Sequence, residues 1–179
     1  MKAFGLTFLF VIATVPLWDV WADEPTESSA VASGGIQAAT TVAEARARAM
    51  LLHESIRGTL QVVHRDFFDE DNTHAIPSAS LEDVFDELAN SYDVKLKWLI
   101  VETDLINVDH QPKDEFERRA VTALKDGEPR FESVEAARYR FAGPIRLASQ
   151  CLKCHVRHRT DTEARTAGLS ISMPLKRER

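Results

Sequence analysis

Cys151 and Cys154 are the only cysteines in 179 residues, and His155 follows the second directly. A pair three apart with no third thiol has few uses: a small-loop disulfide, part of a metal site, or the anchor of a covalent cofactor. The run Cys151-Leu152-Lys153-Cys154-His155 is the attachment pattern for c-type haem. The spacing has a chemical reason. Two thiols on one turn of helix can each reach a vinyl group on the same porphyrin edge, and the adjacent imidazole then projects over the iron as the proximal ligand. A redox-active disulfide is one alternative, but it wants the pair where a strand enters a helix of a thioredoxin-type βαβ unit, and the flanking residues do not supply that. Zinc is the other; Cys151, Cys154, His158 and a distant histidine offer donors, with no second ligand pair at the usual downstream spacing.

The amino terminus bears on the compartment. Lys2 precedes an apolar run from 3 to 17, and Val20-Trp21-Ala22 ends in small residues before Asp23. This pattern predicts an export signal over 1–22, too short for a comfortable bilayer span, so the mature form is expected to lie outside the cytoplasm with no membrane segment. Residues 23–41 are Ser-, Ala-, Gly- and Thr-rich with Gly34-Gly35 inside, and read as a flexible linker. With a net charge of -6 and no basic stripe, the chain is not expected to bind nucleic acid.

From 42 the pattern becomes helical. Leu52, Ile56, Leu60, Val63 and Phe67 recur at steps of three and four, predicting a long amphipathic helix to about 68. A polar loop follows, then a helix over 81–91 with Ser80 and Asp83 as an imperfect capping box. Residues 94–101 read as a strand, 107–112 as a turn-rich loop, and 113–125 as a helix ended by Gly127. Two or three short strands are expected over 130–147, bent at Gly143-Pro144, and a last strand over 169–173. The sum is an α+β domain over 42–175 with an antiparallel sheet, a long first helix, and a short tail at 176–179.

Five blocks then carry a resemblance: Asn107-Val108-Asp109-His110-Gln111-Pro112, Asp114-Glu115-Phe116-Glu117, Tyr139-Arg140-Phe141-Ala142-Gly143-Pro144-Ile145, the Cys151 to His155 motif, and Gly168-Leu169-Ser170-Ile171-Ser172-Met173-Pro174-Leu175. In this order they resemble the exported single-haem c-type domains with a PAS-like fold, which occur alone or ahead of sensor kinases and chemoreceptors. The resemblance implies a PAS-like antiparallel sheet packed with helices around one haem c, with roles in redox or small-gas sensing or in electron transfer. Cys151 and Cys154 carry over as the thioether positions and His155 as an axial ligand. Where the family loop reads Asn-Pro-x-Asn-x-Pro, Val108 and His110 replace the first proline and second asparagine. Some members take a second iron ligand from a cysteine of the first helix; here His64 falls near that position and suggests a histidine substitute.

His53 and His64, eleven residues apart, differ by only about 20° around a helix, so both are candidates for the second ligand. His110 is a third, and an open or water-bound iron the remaining option. Arg140 and Arg146 are candidate contacts for haem propionates, since guanidinium pairs bidentately with carboxylate. Phe141, Ile145, Leu147 and Trp98 are candidate pocket walls. No serine or cysteine triad, phosphate-binding glycine loop or metal-protease motif is present, so enzyme activity is not the leading expectation. Three functions are expected in order: a redox- or gas-sensing module, a soluble monohaem electron carrier, and a peroxidase-like enzyme. Each needs a partner protein or substrate, and the long first helix offers a homodimer contact.

Overall fold

The computed structural model describes residues 36–68 and 76–176. The expected export signal (1–22), most of the expected linker, the segment 69–75 with His74, and the last three residues lie outside the described residues.

Helix α1 (Val42–Phe67) starts where Thr41 accepts a hydrogen bond from the Glu44 N–H, while the Glu44 carboxylate accepts from the Thr40 N–H and hydroxyl. This reciprocal cap satisfies the first free N–H groups of the helix. Its buried line runs Ala45, Ala49, His53, Ile56, and the small alanines let it lie close to the sheet. The expected stripe is corrected at its far end, where Phe67 is 77% exposed. Helix α2 (Pro77–Tyr92) begins four residues before the expected start at 81. Proline at the first turn loses no hydrogen bond and presets φ, so Pro77 rather than Ser80 sets the start. It ends at Asp93, in the left-handed region at φ 53°, whose N–H reaches back to the carbonyls of Leu88 and Ala89.

Strand β1 (Lys95–Leu99) leads through a 3-10 turn (Val108–His110) to helix α3 (Glu115–Lys125), capped by Asp114 and followed by Gly127 at φ 86°. Strands β2 (Phe131–Glu135) and β3 (Arg138–Leu147) form a hairpin, helix α4 (Ser149–His155) carries the cysteines, and β4 (Arg165–Pro174) closes the chain. The sheet order is β1-β4-β3-β2, antiparallel throughout. Contrary to the sequence expectation, β3 runs unbroken through Gly143-Pro144. The last β2 pair is Phe131 with Ala142, so Pro144 lies beyond β2 and its missing N–H breaks no ladder on that side.

Side-chain alternation divides the sheet. Leu96, Trp98, Tyr139, Phe141, Ile145, Leu169 and Ile171 pack with α1 and α2, while Leu99 and Ala142 pack with Phe116, Ala120 and Leu124 of α3. Arg46 of α1 reaches Glu132 of β2 through both Nε and Nη2, and the Tyr139 hydroxyl donates to the same carboxylate. On the α3 side Glu117, nearly buried, accepts from Lys97 of β1 and from the Lys113 N–H. The end of the expected linker belongs to the domain: Ala39 is buried, bridges Leu175, and accepts a hydrogen bond from the Lys176 N–H.

Candidate functional site

A cavity of about 600 Å³ opens at the end of the sheet where β1 and β3 finish and β4 begins. This is within the size range of cofactor sites. Its walls come from every side: Leu60, His64 and Phe68 from the end of α1, Ile76 and Pro77 from the start of α2, Trp98 and Leu99 from β1, and Ile145 and Leu147 from β3. Cys151, Cys154 and His155 of α4 line it as well, as does His110 from the 3-10 turn.

Helix α4 has seven residues, too few to be stable alone, and its placement comes from tertiary ties. Leu152 is fully buried in the main core. The His155 carbonyl accepts from the Asp104 N–H at 2.8 Å, and the Asp104 carboxylate accepts from the Arg157 N–H at 2.8 Å. The Arg159 guanidinium donates to the carbonyls of Leu152 and Val156. Two loops distant in sequence therefore clamp the helix end at His155. Asp104 carries no motif signal; its partner lies 53 residues away.

Cys151 and Cys154 are free thiols three residues apart on this turn, the first half-buried and the second exposed. Burial pushes the Cys151 thiol up. His155 is pushed down, first by burial and then by the fields of His64 and His110 across the cavity. They differ in commitment. The His110 Nε2 lies 2.7 Å from the Glu82 carboxylate and 3.2 Å from Asn107 Nδ2. His64 stacks on Phe68 at 4.7 Å, and among the described residues no hydrogen bond occupies its ring nitrogens. Among the described residues, no three His, Cys, Asp or Glu side chains are grouped to chelate an ion directly.

The structure thus brings together Cys151, Cys154, His155, His64, His110, Ile145, Leu147, Trp98 and Arg146. It does not bring in Arg140, whose guanidinium pairs with Asp114 at 2.8 Å and Glu135 at 3.2 Å and lies over the Phe116 ring on the α3 side. Phe141 and His53 line a separate, smaller cavity, where their rings meet edge to face at 5.7 Å. His158 is exposed. Arg157, one of the arginines gathered around the cysteine motif in the sequence, lines the main cavity, and so does Arg65, which the sequence did not single out.

No curated protein sequence matches this chain. A solved structure, the crystal structure of the cyanobacterial heme-protein Tll0287, aligns with 73% of this chain and 95% of that one at a TM-score of 0.56 and 13% identity, which shows a shared fold. Residues 37–170 match the profile of the Tll0287-like family, three quarters of the chain, and this protein therefore belongs to the Tll0287-like family.

Proposed function

We propose that this protein is an exported c-type haem protein with a PAS-like fold, carrying one haem on Cys151 and Cys154, with His155 as one axial ligand and His64 as the other. The observation that carries the proposal is the convergence of the two thiols and two uncommitted imidazoles, His155 and His64, on one apolar-walled cavity of about 600 Å³. The residues fit the group. A porphyrin brings its own four equatorial nitrogens, so one or two side-chain ligands suffice, whereas zinc needs three or four and no such set is grouped here. The similar structure is a heme protein by its title, which supports the same cofactor in this chain.

When bound, haem supplies one-electron chemistry at iron and, where a coordination position is open, gas binding. The protein's own residues do the rest. Trp98, Leu99, Ile145 and Leu147 exclude water, and Asp104 and Arg159 fix the backbone that aims His155. Arg146, together with Arg65 and Arg157, supplies positive charge for two propionates. The leading role is redox or small-gas sensing through a separate partner. A soluble electron carrier is the second reading, favoured by His64, since an iron held by two side chains shuttles electrons without taking a ligand.

Co-expression with a haem-attachment system tests both. Purified mature protein should be coloured and heavier than the polypeptide by one covalent haem, and Cys151→Ser with Cys154→Ser should be colourless. Colourless parent protein of bare-chain mass would refute the proposal. A carbon monoxide spectrum then reads the ligand state: an immediate shift favours gas sensing, and none favours two-ligand electron transfer or redox sensing.

A further inference from the structure

A second cavity of about 370 Å³ lies between α1 and the stretch of β3 that outruns β2. From Gly143 to Leu147, β3 pairs with β4 on one side and, among the described residues, has no strand on the other. Pro129 and Arg130 lead into β2 at this place, and Arg57 of α1 faces the same space. The lining is basic. Arg57, Arg130 and Arg146 stand against one carboxylate, Glu54, in a chain whose net charge is -6.

The three guanidinia are unequally occupied. Arg57 is held by Glu54 at 2.5 Å. Arg130 has only a 3.7 Å contact to Glu132, which Arg46 already holds in a bidentate pair. Arg146 makes no hydrogen bond or ion pair among the described residues. His53, 5% exposed, closes the cavity, and its Nε2 has no hydrogen-bond partner. Converging guanidinia repel one another unless an anion lies between them, and their planar forks fit the two oxygens of a carboxylate or phosphate.

We propose that this cleft is a binding site for a small oxyanion, a carboxylate or phosphate group, held by Arg130 and Arg146 and flanked by Arg57. Arg146 also lines the larger cavity, so an anion here and a cofactor there share one cation. The oxyanion site does not rest on the haem reading, because its other residues lie outside the larger cavity.

The test is calorimetric titration of the mature protein at low ionic strength with inorganic phosphate and, separately, with succinate. Saturable binding of one equivalent of either probe is expected, weakened about tenfold or more in Arg130→Gln and in Arg146→Gln, as loss of a charge-assisted bond implies. Arg118→Gln, an exposed arginine of α3 paired with Glu115, should bind as the parent does. Absence of saturable binding, or equal weakening in all three variants, overturns the proposal. Colourless protein with Cys151→Ser and Cys154→Ser carries no propionate to compete for Arg146, so the titration repeated on it reads this site apart from haem attachment.

Discussion

Gly143 shows how much one absent side chain can decide. A Cβ there would lie 2.5 Å from His53 Nε2, so the ring of His53, buried on the sheet-facing side of α1, would have to shift. Gly143→Ala should therefore cost about 1–3 kcal/mol through overpacking. Differential scanning calorimetry should show the melting temperature falling by several degrees, and most of that loss should vanish in a His53→Ala background. At the cavity, His64→Ala should abolish a low-spin haem spectrum while His110→Ala leaves it, because Glu82 already engages the His110 Nε2. Glu132 gives a pH signature. The Arg46 guanidinium and the Tyr139 hydroxyl hold its carboxyl below the ordinary value of 4.5. A depressed acid stabilises the fold above its unfolded value and loses that contribution as pH falls through its folded value. The stability advantage of the parent over Glu132→Gln should be full at pH 6, shrink below about 4.5 and disappear in stronger acid, as urea melts at each pH will read. Which residues the sequence revealed follows from the range of the signal. The five-residue motif is local, so the meeting of Cys151, Cys154 and His155 at one cavity was legible. Phe141 and Ile145 share a face, but four residues of strand are about 13 Å, so they reach different cavities. His53 and His64 likewise share a side of α1 and stand about 16 Å apart along it.

Among the elements, α3 is held to the sheet by charge as much as by Phe116, Ala120 and Leu124. Glu117 accepts from Lys97 at 2.5 Å, and Arg140 Nη2 stands 3.9 Å away. Glu117→Ala would take from Lys97 its carboxylate partner and leave it only the Gln111 carbonyl, while Arg140 keeps Asp114 and Glu135, at an expected cost of about 1–3 kcal/mol in a denaturant melt. Replacement of Asp104 works differently. In the proposed haem-loaded form it should leave folding nearly intact yet broaden the haem spectrum, because the carboxylate tie to the Arg157 N–H is lost and only the backbone bond to the His155 carbonyl remains. Helices with caps and steady apolar periods were legible to within a few residues. The early start of α2 came from Pro77, a signal weaker than the serine beyond it. The unbroken course of β3 was not legible at all. A proline bends or ends a strand only if its N–H side needs a partner, and that depends on where β2 stops, which is a matter of register rather than local composition.

For the molecule as a whole, the ends of the domain meet. Ala39 bridges Leu175 and takes the Lys176 N–H, so residues that look like linker fasten the final strand. A chain beginning at 41 should lose about 2–3 kcal/mol relative to one beginning at 36, through the buried Ala39 and its bond from Lys176, the Thr40 bonds to Glu44 and the Arg48 bond to the Gln37 carbonyl. Helix α1, with 26 residues and about 39 Å of length, passes both cavities. Its middle turns present His53 and Arg57 to the cleft beside β3, and its last turns present Leu60 and His64 to the larger chamber. Both chambers therefore share this one rod as a wall, and any tilt of it would carry His53 and His64 together.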